Sequence, residues 1–286
     1  MNALYQLVQG SAEWHEHRKL YRNASETAAV MGVSPWQTPY ELWLVKTGRK
    51  FTVETEAMRH GTATEPAARA AFEQESGLIM QPLVMVDGYY SASLDGITLA
   101  GDTIVEIKCP YKGQTSELWQ TVHTGSVPQH YMLQVQHQLL VTKAKHAYLW
   151  VYDGNEGIGF IIEPDADTFE QIKAAWDAFQ PYLDNDTPPP LTDQDTLNRT
   201  DDMWEQAASE YLLLKAESDT AQFKADEAKA KLISLTAHSR ESGFGVSVTR
   251  YWKVGNVDYK KVPALQGVNL DAYRGKMREE VRVTIS

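Results

Sequence analysis

Apolar residues along the chain recur first at helical spacing, then at every second position, then at helical spacing again. QGSAEWHEHRKLYRNASETAAVMG, residues 9–32, carries a helical stretch, a short break and a second helix that Asn23 or Ser25 can cap and Gly32 can close. SPWQTPYELWLVKTG reads as a turn and a helix ending at Gly48. Residues 55–76 are helical again, and because Pro66 suits a first turn the expected start is Thr64–Pro66. From Ile79 the pattern changes. LIMQPLVMV, YYSASLDGITL and TIVEIKC are β-rich runs separated by Asp-Gly and Gly-Asp turns, which predicts a three-stranded meander. VPQHYMLQVQHQLLVTK returns to helix, HAYLWVYD and GIGFIIEP give two more strands, and ADTFEQIKAAWDAFQPYL is an amphipathic helix. This order predicts an α/β core over residues 1–186, a mixed central sheet flanked by helices.

LDNDTPPPLTDQDT cannot continue a helix and is polar throughout, so residues 187–200 read as a Pro-rich linker. Beyond it, residues 201–238 form a long helix. Trp204, Ala207, Tyr211, Leu214, Ser218, Ala221, Ala225, Ala228, Leu232 and Leu235 keep an unbroken 3,4 alternation, a heptad seam with small residues at its centre. Such a seam can pack within the chain, on a partner or across an oligomer. GFGVSVTRYW, a DYKK turn and EEVRVTIS predict a small β-containing tail within 201–286. There are no internal repeats.

Composition narrows the class. With 43% hydrophobic and 23% charged residues the chain is an ordinary globular one. It has no run of eighteen apolar residues, so no membrane span is expected. The first residues lack a basic start followed by an apolar run, so a cytoplasmic protein without a secretory signal is expected. One cysteine, Cys109, excludes a disulfide framework and any multi-Cys zinc or iron–sulfur site. The net charge of −11 argues against broad nonspecific adhesion to nucleic acid. That charge is uneven: residues 250–286 hold 8 basic and 4 acidic residues, a local +4. Contact with a polyanion is therefore expected only through local patches.

Candidate chemistry lies in SASLDGITLAGDTIVEIKCP. In a strand, residues i and i+2 share a face, so Glu106 and Lys108 project together. If the preceding strand runs antiparallel, Asp95 at its end approaches Glu106. Two carboxylates and a backbone carbonyl form a hard-oxygen site suited to Mg²⁺ or Mn²⁺, and a lysine beside them can stabilise a phosphate or handle the attacking water. On its own the same pattern is equally two strands with charges at their ends, since Asp-Gly is a common turn. Two ionisable residues inside a β-run are costly unless paired or metal-bound, which favours the site.

The stretch LDG…IVEIKCP resembles the PD-(D/E)xK nuclease signature, in the version of the phage lambda exonuclease and YqaJ-type viral recombinase family. QGSAEWHEHR with Ala24-Ser25-Glu26, HGTATEPAAR with Glu65, and HYMLQVQHQLLV with Gln134 and Gln136 resemble three further family motifs, in the same order. The resemblance spans residues 9–180 and leaves the linker, long helix and tail uncovered. It implies a restriction-endonuclease-like core and a Mg²⁺-dependent (alternatively Mn²⁺-dependent) 5′-to-3′ exonuclease. Such an enzyme degrades linear double-stranded DNA from its ends to leave 3′ single strands for recombination. By position, Asp95, Glu106, the Ile107 carbonyl and Glu65 look like the metal ligands, and Lys108 is similar to the catalytic lysine. Arg18, Ser25, Ser93 and Gln134 match positions that hold a 5′-phosphate. Leu94-Asp95 replaces the family's Pro-Asp, at a position where the proline is not a ligand.

A homotrimeric ring is implied, whose lining alone would have to be positive. Also implied are a phage or prophage origin in a bacterial host and a single-strand annealing protein as a partner. Without the resemblance, Arg18 could merely cover Trp14, Ser25 cap a helix, Glu65 favour a helix start and Gln134 lie on a polar face. His60, His130 and His137 read as surface or packing residues, because the proposed site wants oxygens. Two alternatives remain: a structure-specific or restriction-type endonuclease on the same core, and a recombination scaffold that binds DNA or an annealing protein through residues 195–286.

Overall fold

The computed structural model describes residues 3–5, 7, 10–51, 54–253, 255, 262–265, 268 and 273–276. The chain divides into two units, Met1–Thr196 and Leu197–Ser286. In the first, strands β1 (Ala3–Tyr5), β2 (Arg22–Asn23), β3 (Gln81–Asp87), β4 (Tyr90–Ile97), β5 (Thr103–Lys108), β6 (His146–Tyr152) and β7 (Gly157–Ile162) form one mixed sheet. Its order is β1-β3-β4-β5-β6-β7, with β2 beside β4. β3, β4 and β5 are the expected meander. β5 and β6 are parallel, which requires a crossover. That crossover is made by α5 (Glu117–His123) and α6 (Gln129–Thr142).

Period-two burial puts the two faces of β5 against different helices. Ile104 packs with Trp119, Val135 and Leu139 of α5 and α6. Val105 and Ile107 pack on the other face with Phe72 of α4 (Glu56–Ser76) and Trp150. Behind α6, a second cluster joins Ala29 of α2 (Thr27–Val30), Trp43 of α3 (Pro39–Lys46), and Ile172, Trp176 and Phe179 of α7 (Ala166–Asp184). The fold is α/β, a mixed central sheet flanked by helices, as expected.

Local signals account for the departures. α4 starts at Glu56, not at Thr64–Pro66, because Thr55 caps it by accepting from Met58 N at 3.2 Å. Pro66 therefore sits inside the helix, where it leaves the Thr62 carbonyl without its i+4 donor. Neither Asn23 nor Ser25 caps α2 through its side chain. Asn23 instead donates to the carbonyls of Arg18 and Tyr21 and to the Glu26 carboxylate. β1, β2 and α5 were not anticipated; α5 is capped by Ser116, which accepts from Trp119 N. In the second unit, α8 (Asp202–Leu235) precedes a hairpin of β8 (Arg240–Gly243) and β9 (Val246–Thr249). The expected DYKK turn and EEVRVTIS strand lie outside the described residues. No helix among the described residues is long and apolar enough to cross a membrane.

Candidate active site

β4 and β5 run antiparallel, with Gly96 opposite Val105 and Ile97 opposite Ile104. One step further along this ladder sets Asp95 opposite Glu106. Cβ atoms of such pairs lie about 5 Å apart. Both carboxylates are buried, at 8% and 3% exposure. Asp95 Oδ2 accepts from Ile107 N at 2.7 Å, and Lys108 Nζ lies 2.5 Å from Glu106 Oε1. Lys108 also stands 5.1 Å from the Tyr131 ring centre.

α6 grips Glu106 from above. Gln134 Nε2 donates to Oε1 at 2.7 Å and Gln138 Nε2 to Oε2 at 2.5 Å, two amides one helical turn apart on the same face. α4 brings Glu65, whose Oε1 accepts from Arg69 at 2.5 Å, while Arg69 Nε donates to the Asp95 carbonyl at 2.7 Å. Burial, followed by the charges of Glu106 and Glu65, pushes the Asp95 carboxyl well above its usual range. Burial also raises Glu65, with Glu106 adding to it and Arg69 opposing. Lys108 would lose charge on burial, but Glu106 and Asp95 outweigh this and hold it protonated. Burial pushes the Cys109 thiol up to about 12, so it is no nucleophile near neutral pH.

The other end is built on α1 (Ala12–Leu20), which Ser11 caps by accepting from Trp14 N. Ser91 and Ser93, two apart on β4, meet this helix: Ser91 Oγ lies 2.9 Å from His17 Nε2, and Ser93 Oγ accepts from Trp14 Nε1 at 3.0 Å. Arg18 lies over the Trp14 ring at 4.6 Å and donates to Ser25 Oγ at 3.0 Å and Glu26 Oε1 at 2.8 Å. Glu26 is locked from its other side by Lys46 of α3, at 2.7 Å from Oε2. Lys46 also donates to the carbonyls of Arg18 and Tyr21, at 2.6 Å each.

All the residues singled out from sequence line one cavity of about 1020 Å³: Arg18, Ser25, Glu65, Ser93, Asp95, Glu106, Ile107, Lys108 and Gln134. Gln134 is the exception in detail, since its hydrogen bond goes to Glu106 and not to the Arg18–Ser25 pair. Sequence reasoning named Trp14 only as a surface for Arg18 and Glu26 only as part of a motif, and it passed over Lys46, Arg69 and Gln138. Gln138 was detectable as the i+4 partner of Gln134, whereas nothing local marks Lys46. His137 is fully buried, its Nδ1 2.6 Å from the Thr27 hydroxyl, and is a packing residue.

The donors suit a hard cation, being oxygens from Asp95 and Glu106 with Ile107 beside them. Burial first and the repulsion of Glu106 and Glu65 second raise Asp95, and a divalent ion would relieve that repulsion. Among the described residues no three Asp, Glu, His or Cys side chains gather at ligand spacing. Glu65, held by Arg69, thus stands with the other two through charge and not as a third side chain on one point.

Known proteins resemble this chain in sequence and in fold. The chain is 29% identical over 170 residues to YqaJ of Bacillus subtilis, an uncharacterised protein, covering 56% of this chain and 52% of that one. It thus spans about half the length of that curated relative. Among solved structures it is similar to LHK-Exo, an alkaline exonuclease from Laribacter hongkongensis. That match has a TM-score of 0.54 and 26% identity, and covers 62% of this chain and 94% of that one. The complex of LHK-Exo with dAMP matches at a TM-score of 0.53, with the same identity and coverage. Residues 13–145 match the family model of the YqaJ-like viral recombinase domain.

Proposed function

We propose that residues 1–196 form a metal-dependent DNA exonuclease of the PD-(D/E)xK type, which degrades linear duplex DNA 5′ to 3′, releases mononucleotides and leaves a 3′ single strand. What carries this reading is the convergence of the Asp95–Glu106–Lys108 cluster and the Arg18–Ser25–Ser93 cradle on one cavity. Asp95, Glu106 and the Ile107 carbonyl would hold Mg²⁺, with Mn²⁺ as a substitute, and Glu65 would be the remaining carboxylate for a second ion or its water. A divalent ion there supplies Lewis-acid stabilisation of the attacking and leaving oxygens of a phosphodiester. The dAMP bound by LHK-Exo is the class of product such a reaction would release.

The chain's own groups have definite tasks. Ser25 Oγ accepts from Arg18 and Ser93 Oγ accepts from Trp14, so each hydroxyl keeps its own proton for a 5′-phosphate oxygen. The Arg18 guanidinium, flattened on Trp14 and fixed by Glu26, presents a planar donor to the same phosphate. Lys108 holds its proton and has three donors. One goes to Glu106, leaving the others to orient a water against the scissile phosphate. Gln134 and Gln138 fix Glu106 in one rotamer, which preorganises the cluster. Three copies in a ring, and an annealing protein that receives the 3′ strand, complete the proposal.

The test is a gel assay on linear duplex bearing 5′-phosphate or 5′-hydroxyl, with and without Mg²⁺. Nucleotide release is expected to need Mg²⁺ and to be faster on 5′-phosphate. Lys108→Ala should abolish release while retaining end binding, and Arg18→Ala should erase the 5′-phosphate preference. Release unchanged in Lys108→Ala would end the assignment, and digestion of closed circular duplex would replace it with the endonuclease reading.

A further inference from the structure

α8 runs for 34 residues without one buried side chain. Along it, the 3,4 stripe from Trp204 to Leu235 lies open, from 39% exposure at Tyr211 to 71% at Leu235. The stripe is asymmetric: its first half carries Tyr211 and Leu214, its second Ala225 and Ala228. Laid antiparallel on a copy of itself, the stripe sets Tyr211 opposite Ala228, Leu214 opposite Ala225 and Leu232 opposite Ala207. Each of these three layers joins a large residue to a small one, while Trp204 meets Leu235 at the ends and Ser218 meets Ala221 at the centre. A parallel pairing would set tyrosine on tyrosine and alanine on alanine.

Charge gives the same orientation independently. Glu210, Glu217, Lys224 and Lys231 follow one another at seven-residue intervals along one flank of the stripe, acidic in the first half and basic in the second. None makes an ion pair in its own chain among the described residues, although neighbouring Lys215 bonds to Asp219. In the antiparallel pair Glu210 meets the partner's Lys231 and Glu217 meets the partner's Lys224, each contact occurring twice by symmetry. The opposite flank sets Ala208 against the partner's Lys229 and Lys215 against the partner's Gln222, without repulsion. A parallel pair would instead place Lys224 against the partner's Lys229. We infer that α8 joins two copies of this chain as an antiparallel two-stranded coiled coil, with Glu217–Lys224 contacts at its centre. A two-fold contact closes on itself, so the assembly has an even number of chains: a dimer, or two rings of three joined through their α8 helices.

Mass measured by light scattering across a dilution series of the full chain tests this, whatever the catalytic reaction. Wild type is expected at an even multiple of the chain mass. Glu217→Lys reverses two symmetry-related contacts and should weaken the association about tenfold or more, halving the mass at low concentration. The double swap Glu217→Lys with Lys224→Glu should restore it, with circular dichroism checking that helix content is unchanged in both. An odd multiple for wild type, a Glu217→Lys mass that does not fall, or a double swap that fails to recover would overturn the inference. A parallel pair or a different occupant of the stripe is recognised by the second of these outcomes, because Glu217 then has no Lys224 to meet.

Discussion

Lys46→Met isolates the least expected part of the site. The Lys46 side chain is 3% exposed, and its ammonium has three acceptors: Glu26 Oε2 at 2.7 Å and the carbonyls of Arg18 and Tyr21 at 2.6 Å each. Methionine preserves most of the apolar stem and removes the charge. Removing one partner of a buried pair costs about 3–5 kcal/mol. Arg18 and Asn23 still bond to Glu26, at 2.8 and 2.9 Å, which argues for the low end of that range. Two carbonyls lose a donor, at about 1 kcal/mol each. A loss of about 5 kcal/mol results, or about 10–20 °C in Tm for a domain of this size.

The assay is urea unfolding of wild type, Lys46→Met, Glu26→Gln and the double variant. The double variant should be more stable than the sum of the single losses implies, by at least about 1.5 kcal/mol. The pH arm follows from Glu26. Burial alone would raise its carboxyl, but Lys46 and Arg18 outweigh burial and hold it below the ordinary 4.5. A depressed folded pKa gives stability that is complete above the unfolded value and lost as pH falls through the folded one. The Lys46→Met deficit should therefore shrink as pH falls below the ordinary 4.5. A loss under about 1 kcal/mol at neutral pH, or strict additivity in the cycle, would refute the reasoning.

Three further outcomes are expected. Burial lowers His137 to about 3 from 6.5, so as pH falls below 6.5 the unfolded chain takes a proton that the folded one refuses. Stability should then drop by about 2 kcal/mol between pH 6.5 and 5, and urea midpoints of His137→Leu should show a flatter pH slope. Gln138→Leu strips a donor from the buried Glu106 Oε2 and should lower turnover about 10–100-fold, with a rightward shift in Mg²⁺ titration. Gly157→Ala would place a Cβ 2.0 Å from the Trp150 ring and should cost about 1–3 kcal/mol, read as a lower Tm.

The parts of the fold that periodicity could reveal were legible in the sequence. Strand alternation placed β3 to β7, and the i,i+2 rule put Glu106 beside Lys108, as their 2.5 Å contact confirms. Asp95 required only an antiparallel register, which the Gly-Asp turn before β5 supplied. What escaped was set by tertiary contact. Pro66 suggested a helix start, but an upstream Thr55 cap with its own first-turn Glu56 overrode it. Lys46 looks like a routine basic residue in the last turn of α3, and only the packing of α3 against α2, which Glu26 precedes, turns its ammonium onto that carboxylate. Gln134 was assigned to the phosphate by motif, yet α6 crosses above β5 so that its amide reaches Glu106 first.

The cavity that would receive a DNA end carries no excess of basic side chains among the described residues. Among the described residues the cavity is lined by five basic side chains, Arg18, Lys19, Lys46, Lys50 and Lys108, and by six acidic ones, Glu16, Glu26, Glu41, Glu65, Asp95 and Glu106. Every one of the five bases is already paired with one of those acids. A DNA end entering this chain's cavity therefore meets no surplus positive charge, and cations have to supply it. Divalent ions should be needed for binding as well as for hydrolysis. Anisotropy of a 5′-phosphorylated duplex with Lys108→Ala, which separates binding from turnover, should show at least about tenfold weaker affinity in EDTA than in Mg²⁺. Glu106→Gln removes one of the acids, so its metal-free affinity should exceed that of wild type although hydrolysis is lost. Equal affinity in EDTA and Mg²⁺, or no gain in Glu106→Gln, would mean that the positive charge holding DNA lies elsewhere than in this cavity.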